Sequence, residues 1–488
     1  MNSFWQDQAF VYNESTDLYE GVCHKCKGVL IGHELGFTCK NCDLSGDLYT
    51  WLNGVKGIPS DKAEKTIKFY NETKKADEIN PNQIATRILL TNKFIYLNNS
   101  FYKYQDGVFT RVNDIHIDKI IKSMLNLKFK THVSNEIRNC LAIETLVNPD
   151  DVNKNRNMIN FKNGMFDLKN LQLEPHDTKF LSTIQLNLDY DPDIQCELWT
   201  KTLNEIFQND EEKISILQQF LGYCLVPDNS FQMSLLNIGE GANGKSLIMK
   251  TFQNIIGRQN YSTIQSADFN NKHYIACMAG KLVNISIESD NKMPIDDATF
   301  KAITSGDEFQ VEEKFIAPYS VRLFCKLIFT MNDLPRVDDK SNAYFRRLKI
   351  LRYNKEFKPG EQDRELEHKL VPEYPGIMNW MIYGMKNLYK NNGFLTNAEV
   401  DSEVVEYRKE NNNVYMFSED CLVIDPTFNC SKKDVYLKYC KYCGENGYKP
   451  FAIRKLGINL KKIYPMITEY MHPTGSMRMW RGLGILTD

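Results

Sequence analysis

The sequence SLLNIGEGANGKS occupies residues 234–246 and carries the strongest signal in the chain. Its first five residues form an apolar run that predicts a buried strand, and the remainder fits the pattern G-x-x-x-x-G-K-[S/T]. Such a loop turns backbone N–H groups toward phosphates, while its lysine adds positive charge and its hydroxyl can bind Mg²⁺. The order of strand, loop and helix therefore predicts an ATP site rather than a glycine turn that binds nothing. The predicted nucleotide-binding residues are Gly239, Gly241, Ala242, Asn243, Gly244, Lys245 and Ser246.

The bulk composition limits the class of protein. A chain of 488 residues predicts three or four domains, and its net charge of -2 restricts any nucleic-acid contact to a local patch or channel. Apolar runs stay well short of the ~20 residues that a membrane span needs, and the first residues lack a basic region followed by an apolar one. We therefore expect a soluble, cytoplasmic protein without a membrane partner. Thirteen cysteines, an odd number, favour a reducing compartment with a metal site over a disulfide framework.

Four of the cysteines form two closely spaced pairs. Cys23 and Cys26 are followed, after twelve residues, by Cys39 and Cys42. This spacing is typical of zinc ribbons, in which two knuckles supply four thiolates to one Zn²⁺, and it predicts zinc rather than four free thiols. The segment Phe37–Leu52 also resembles the zinc-binding domain of bacterial and phage DNA primases.

Two further apolar runs are predicted to be strands that end in polar residues. The run 281–287 precedes Glu288, which we predict as a catalytic and magnesium-binding carboxylate of Walker B type, with Asp290 as the alternative. The run 324–330 leads to Asn332, whose amide can orient the attacking water or sense the γ-phosphate. Together with Lys245, these residues make up the predicted hydrolytic site.

The order of these elements resembles superfamily 3 helicases, a compact class of AAA+ ATPase. Upstream motifs resemble the leader domain of phage and plasmid primase–helicases and poxvirus nucleoside triphosphatases. These motifs are Phe161–Gly164 (FKNG), His176, Tyr190–Pro192 (YDP), Trp199 and Gly222–Tyr223 (GY). Asp189 and Asp191 form a D-x-D pair, but Pro192 favours a turn there over a polymerase metal site.

The resemblance implies two further functions. An arginine at a subunit interface would reach the neighbour's γ-phosphate; the family pattern favours Arg347, with Arg346 and, more distantly, Arg336 as alternatives. A hairpin between Walker B and the sensor would grip single-stranded DNA through Lys314 and Phe315. Glu312 and Glu313 leave open a solvated hairpin, since both would repel phosphate if they faced it.

The predicted architecture is an α/β protein with an AAA+ core of superfamily 3 type. Helical patterns around residues 433–443 and 454–462, followed by a strand at 477–483, predict a winged-helix-like module with a basic helix. Cys440 and Cys443 are interpreted as the apolar face of the first of these helices, with a second metal site as the alternative. The predicted domains are a zinc ribbon (1–60), a linker (61–85), an α+β accessory domain (86–190), a helical collar (191–228), the ATPase (229–395) and the winged-helix-like domain (396–488).

These features, together with the resemblance to superfamily 3 helicases, predict a hexameric DNA helicase that uses ATP, magnesium and zinc to replicate a phage, plasmid or mobile element. Single-stranded and forked DNA are the expected partners, with a primase, polymerase or single-strand binding protein as further candidates. One alternative is a zinc- and DNA-binding initiator or loader whose nucleotide site is a switch. Another is a primase–helicase that synthesises primers, although a separate polymerase domain is not evident in the sequence.

Overall fold

The computed structural model has a mixed α/β fold built around a parallel sheet. It describes residues 11–13, 18–22, 29–33, 36–39, 45–47, 59–60, 62, 64–65, 80–287, 297–314, 316–335, 337, 342–475 and 477–486. The chain divides into two compact units, which consist of residues 1–154 with 177–183, and of residues 155–176 with 184–488. The boundary near residue 154 falls inside the segment 86–190 that the sequence groups as one accessory domain.

The first unit begins with an antiparallel meander of five strands. In order across the sheet these are β1 (Val11–Asn13), β2 (Leu18–Val22), β3 (Val29–His33), β4 (Gly36–Cys39) and β5 (Ser45–Asp47). Pairing of Val22 with Val29, and of Leu30 with Cys39, puts the carboxyl ends of β2 and β4 at the same end of the sheet. Apart from Cys39 in β4, the predicted zinc ligands lie outside the described residues.

The rest of the first unit is a small α+β fold. Its elements are α1 (Pro81–Thr91), β6 (Phe94–Leu97), β7 (Ser100–Gln105), β8 (Val108–Val112), α2 (Asp114–Leu125) and α3 (Thr131–Thr145). Asp106 and Gly107 join β7 to β8 with φ angles of 50° and 87°, as the predicted Asp-Gly hairpin requires. Ile88, Phe101, Ile117 and Ile137 form its core.

The second unit opens with a three-stranded sheet and two helices. The strands are β9 (Met158–Phe161), β10 (Gly164–Asp167) and β11 (Gln172–Glu174), and the helices are α4 (Glu197–Ile206) and α5 (Glu211–Tyr223). The His176 Nε2–H donates to the Phe161 carbonyl at 2.8 Å, which ties the FKNG strand to the following loop. Asp191 Oδ1 accepts from the Asp193 N–H at 3.0 Å, in agreement with a turn at the D-x-D pair.

A five-stranded parallel sheet forms the centre of this unit. Its order is β13 (Tyr261–Ser262), β14 (Val283–Ile287), β17 (Lys326–Met331), β12 (Ser234–Ile238) and β18 (Leu348–Arg352), and the hairpin β15 (Glu308–Glu313) and β16 (Ile316–Arg322) precedes β17. The chain leaves β12 toward β13 at one edge, whereas β17 is followed by β18 on the opposite side of β12. Sheets of this kind bind ligands at the carboxyl ends of their strands, beside the point where the connections diverge.

Helices cover the sheet, and one pair of them crosses at very close range. The helices are α6 (Lys245–Ile256), α7 (Lys272–Ala276), α8 (Asp297–Ser305), α9 (Asn342–Phe345), α10 (Leu366–Lys369), α11 (Tyr374–Lys390) and α12 (Ala398–Glu410). A Cβ at Gly222 of α5 would overlap the Met381 carbonyl of α11, and one at Gly384 would lie 2.6 Å from Gln218. Glycine at both positions therefore lets the two backbones touch.

The polar segment predicted to be a boundary at 397–414 contains α12, which packs on β18. Lys349 and Arg352 of β18 pair with Asp401 (2.8 Å) and Glu403 (2.7 Å) of this helix. The Tyr407 side chain is buried and donates to the Pro335 carbonyl at 2.6 Å. Composition gave no sign of this helix because most of its surface is exposed and polar.

The C-terminal part is a compact α+β fold. It contains α13 (Asn413–Cys421), β19 (Leu422–Val423), β20 (Asn429–Ser431), α14 (Lys432–Glu445), α15 (Ile453–Ile463), β21 (Thr468–Met471), β22 (Arg478–Arg481) and β23 (Gly484–Ile485). The two predicted helices and the closing strand are all present. Cys421 and Cys443 lie in its apolar core with Trp480. Nowhere in the described residues do three or more His, Cys, Asp or Glu side chains form a group that could hold a metal ion.

Candidate nucleotide site

The glycine loop lies at the carboxyl edge of the sheet, between β12 and α6. Gly239 has a φ of +155°, and its N–H donates to the Met331 carbonyl at 3.3 Å. Gly244 has a φ of +88° and precedes α6, and a Cβ on it would overlap the Ile206 side chain. By contrast, Gly241 has open space within 4 Å of its Cβ position. The loop is thus fixed at both ends and open in its middle.

The Lys245 side chain folds back onto this loop. Its ammonium donates to the Gly239 and Glu240 carbonyls, the latter at 2.9 Å, and to Asn243 Oδ1 at 3.1 Å. Burial lowers the pKa of Lys245. The Asn243 amide donates to the Glu240 carbonyl at 2.5 Å, which closes the turn. A cation is therefore held in the loop by neutral acceptors alone.

The arrangement fits the phosphates of a nucleotide. The N–H groups of Lys245, Ser246 and Leu247 lie in the first turn of α6, where a helix supplies no acceptors for its own donors. The helix dipole and the lysine charge both favour an anion at this place. Ser246 is exposed there, so its hydroxyl can serve as a magnesium ligand.

Three strands end beside the loop, as the sequence predicts. Ile238 pairs with Met331 and Ile287 with Thr330, so β12, β14 and β17 finish at one edge. Asn332 therefore lies next to the loop, and its side chain is exposed. Glu288 and Asp290 follow β14 directly but lie outside the described residues, as does Arg336.

The two arginines differ in environment. The Arg347 side chain is buried and donates to the Ala343 carbonyl at 2.5 Å, Gln232 Oε1 at 3.0 Å and Ser305 Oγ at 2.8 Å. Arg346 is exposed. The resemblance to superfamily 3 helicases favours Arg347 as an interface residue, whereas the geometry gives Arg347 partners within its own subunit and leaves Arg346 at the surface.

Both arginines lie at the amino edge of the sheet, away from the loop. They directly precede β18, and Leu348 pairs with Ser234 at the start of β12. The loop begins after Ile238, five strand residues further on, which corresponds to about 16 Å at roughly 3.3 Å per residue. The backbone path thus separates these arginines from the glycine loop of the same chain.

The predicted DNA hairpin is present, and Lys314 is exposed in its turn. Phe315 lies outside the described residues. The two neighbouring acids are engaged elsewhere, because Glu312 pairs with Lys272 at 3.0 Å and Glu313 accepts from the Tyr319 hydroxyl at 2.6 Å. Sequence reasoning missed these partners, of which Lys272 is distant in the chain.

A groove of about 1440 Å³ lies near the loop, although none of the residues 239–246 lines it. Its walls come from α4, α11 and the segment after β18, and they include Thr200, Asn204, Lys355, Phe357, Trp380 and Tyr383. The Phe357 N–H donates to the Ala242 carbonyl at 2.8 Å, which joins the groove to the loop.

The α4 helix is held in place by Glu373, whose carboxylate accepts from the Leu198 and Trp199 N–H groups at 2.9 and 2.8 Å. No sequence signal pointed to this cap.

Comparison with known proteins supports a phage or viral primase–helicase group. Three sequence families match the chain: "D5 N terminal like" over residues 46–208, a family of unknown function (DUF5906) over 237–347, and "Poxvirus D5 protein-like" over 409–473. A protein of Acanthamoeba polyphaga mimivirus named "putative helicase" is 24% identical over 350 residues. This match covers 64% of the chain but about a third (35%) of the relative.

Solved structures show the fold. Two apo structures of the C-terminal region of NrS-1 superpose with TM-scores of 0.51 and 0.50, both at 12% identity. They cover 84% and 83% of this chain and the whole of theirs.

The FKNG and YDP motifs fall inside the "D5 N terminal like" match, and the DUF5906 match runs from the strand before the glycine loop to Arg347. The cysteine pairs precede all three matches. Within the described part of the chain, no helix has the length and apolar character needed to cross a membrane.

Proposed function

We propose that the chain is a magnesium- and ATP-dependent DNA helicase of superfamily 3 type that acts in viral or mobile-element replication. The observation that carries this proposal is the meeting of three strand ends at the glycine loop. It is supported by the matches to D5-type families and by the helicase name of the mimivirus relative. DNA is the expected substrate, and Lys314 in the exposed hairpin turn would contact its backbone.

The residues divide the chemistry of phosphoryl transfer among them. Lys245 would exchange its loop acceptors for the β- and γ-phosphates, because charged oxygens bind an ammonium more strongly than carbonyls do. Ser246 and Glu288 would hold Mg²⁺, which neutralises the developing charge, with Asp290 as the alternative acid. Asn332 would orient the attacking water. The groove near the loop offers Phe357 and polar side chains for the base and ribose.

A ring of subunits accounts for the position of the arginines. An arginine about 16 Å from its own loop can act on a γ-phosphate only if that phosphate belongs to another subunit. We propose a hexamer in which Arg346, exposed at the surface, fills this role, while Arg347 holds α8 and β18 together.

The amino-terminal meander would carry one zinc ion. The proposal is supported by the pairing of the described strands, because the carboxyl ends of β2 and β4 lie at the same end of the sheet. Four thiolates brought together there would suit tetrahedral Zn²⁺. Metal analysis of the purified protein should find about one zinc per chain, and Cys39→Ser with Cys42→Ser should release it without changing DNA-independent ATP hydrolysis.

Strand displacement on forked DNA tests the proposal against its alternatives. We expect ATP hydrolysis with displacement of one strand, and neither in Lys245→Ala. Hydrolysis or nucleotide binding without displacement would instead identify an initiator or loader with a nucleotide switch. Primers made on a single-stranded template would identify a primase–helicase. Negative-stain images with ATP and DNA would show a ring, and a stable monomer under those conditions would rule out the shared site.

A further inference from the structure

A basic cleft lies where the C-terminal fold meets the end of α12. It has a volume of about 950 Å³ and runs between the α12–α13 junction and the face of α15. Its walls carry five cationic side chains and one carboxylate: Arg408, Lys409, Lys449, Lys455, Lys462 and Glu410. Lys409 pairs with Glu406 at 2.7 Å, and the other four cations still outnumber Glu410, which is a local excess of positive charge in a chain of net charge -2. We call this feature the C-terminal cleft.

The packing of α15 selects which of its cations face the cleft. Leu456 and Leu460 are buried against the core of the C-terminal fold. One neighbouring face, with Lys455 and Lys462, lines the cleft, whereas Lys461 turns away and pairs with Glu469 at 3.0 Å. Of these lysines of α15, Lys461 therefore takes part in an ion pair, whereas Lys455 and Lys462 line the cleft.

Aromatic side chains accompany the cations. Tyr415, Tyr448 and Phe451 line the cleft and are half-buried. The Lys455 ammonium lies 4.1 Å from the centroid of the Phe451 ring, and the Lys409 ammonium lies 5.5 Å from that of Tyr415. Ring faces beside ammonium groups are the combination that binds single-stranded nucleic acid, since bases stack on the rings and phosphates pair with the cations.

We propose that the C-terminal cleft binds a short segment of single-stranded DNA. Duplex DNA is read by a convex element that enters a groove about 12 Å wide, whereas these cations line a concave surface that receives a strand. The proposal deepens the proposed helicase function and rests on it for the identity of the polymer as DNA. The cleft would give the chain a grip on the strand separate from the Lys314 hairpin.

Binding of a labelled oligothymidine, and of a hairpin duplex of equal charge, tests the cleft. Lys455→Ala with Lys462→Ala should weaken oligothymidine binding about tenfold or more. It should also reduce the slope of log K against log salt by roughly 1.4, because two phosphate contacts are lost at about 0.7 each. The control is Lys433→Ala with Lys441→Ala, which removes the same charge from exposed positions on α14 outside the cleft. We expect wild-type binding in that control.

A second variant tests stacking without a change of charge. Phe451→Leu should lower affinity for oligothymidine about tenfold while leaving the salt slope as in the wild type. Circular dichroism and DNA-independent ATP hydrolysis should match the wild type in every variant, which excludes misfolding as the cause.

The outcomes separate the cleft from the motor. Unchanged oligothymidine binding in both cleft variants, or loss of duplex binding alone, would overturn the proposal while leaving ATP-driven unwinding intact. A wild type that binds oligothymidine through the cleft but hydrolyses no ATP would overturn the helicase function and leave the cleft. If the wild-type protein binds no oligothymidine, the proposal that the cleft binds single-stranded DNA is overturned.

Discussion

Two buried lysines lie at opposite edges of the same parallel sheet, and their surroundings differ. Lys245, 6% exposed, is held at the carboxyl edge by acceptors of the glycine loop. Lys326, 2% exposed, begins β17 at the amino edge, donates to the Val226 carbonyl and lies 4.9 Å from the centroid of the Tyr223 ring. Burial lowers the pKa of both, that of Lys326 to about 8.

Burial and a lowered pKa therefore do not by themselves identify a ligand-binding lysine. The acceptors of Lys245 belong to a loop that is open in its middle, where an anion could replace them. Lys326 is buried, and its partners, the Val226 carbonyl and the Tyr223 ring, belong to the core. The identity of the partners therefore separates a lysine positioned for a ligand from one that belongs to the core.

The largest expected effect separates the two lysines by activity. Lys245→Ala should reduce ATP turnover by about 10³-fold or more, because the charge that meets the phosphates is lost while the fold remains. Lys326→Met should retain turnover within about threefold. Steady-state hydrolysis with matched thermal melts measures both. Equal loss of ATP turnover in the two variants would show that Lys245 and Lys326 do not differ in this way.

The next effect concerns the amino edge, where both arginines lie. Arg346→Ala should keep nucleotide binding and stability but lose about 10²-fold in hydrolysis. Arg347→Ala should lower the free energy of unfolding by about 2 kcal/mol, because Ser305 and Gln232 lose their buried partner. Urea denaturation and single-turnover hydrolysis distinguish the two.

Mixing subunits tests the sharing of the site directly. Arg346→Ala combined with Glu288→Gln should recover part of the activity, since some interfaces then contain both intact residues. Recovery with Arg347→Ala and none with Arg346→Ala, in rings shown to be mixed, would restore the assignment that the resemblance to superfamily 3 helicases favours.

A third prediction contrasts two glycines of the loop. Gly244→Ala should destabilise the protein by about 2–3 kcal/mol and weaken ATP binding, because its φ of +88° and the Ile206 side chain leave no place for a Cβ. Gly241→Ala should be nearly neutral for folding, since the space around it is open. Comparable melting temperatures for the two variants would argue against the described loop conformation.

The smallest expected effect is a pH dependence at Lys326. Its folded pKa of about 8 lies below the ordinary value of 10.5, so the unfolded chain binds more protons between these values. This lysine therefore contributes stability that rises as the pH increases from about 8 to about 10.5. Below pH 8 both states are protonated and the contribution is constant.

Lys326→Met should lack this rise. The difference in unfolding free energy between variant and wild type should therefore change by about 2 kcal/mol between pH 7.5 and pH 10. Urea titrations of both proteins at each pH measure it, and titrating groups that do not interact with Lys326 cancel in the difference. Parallel curves for the two proteins would mean that Lys326 is not held as described.

Much of the parallel sheet and its glycine loop could be predicted from the sequence, because their signals are local. The apolar run 234–238 is the observed β12, and the predicted 281–287 and 324–330 contain or closely overlap β14 and β17. Runs of this kind encode strands buried on both faces, and the glycine pattern encodes a backbone that few other residues can adopt. The Asp-Gly turn at 106–107 was predictable for the same reason.

The rest depends on contacts between distant parts of the chain. Nothing near Arg347 indicates that Ser305 and Gln232 will surround it, and Glu312 meets Lys272 only because the hairpin folds beside α7. The C-terminal cleft combines Arg408, in a segment interpreted as a boundary, with Lys455 and Lys462 of the predicted basic helix. Periodicity assigns elements to a chain, but it does not say which side chains they bring together.

The crossing of α5 and α11 has a mechanical consequence. At Gly222 and Gly384 the two backbones come into direct contact, because neither glycine carries a side chain that would separate the helices. The neighbouring α4 is joined to the start of α11 by the Glu373 carboxylate and touches the glycine loop through Ile206. A shift of the loop would therefore reach α4 through Ile206 and α11 through Glu373, and the direct contact of the α5 and α11 backbones would couple the two crossing helices.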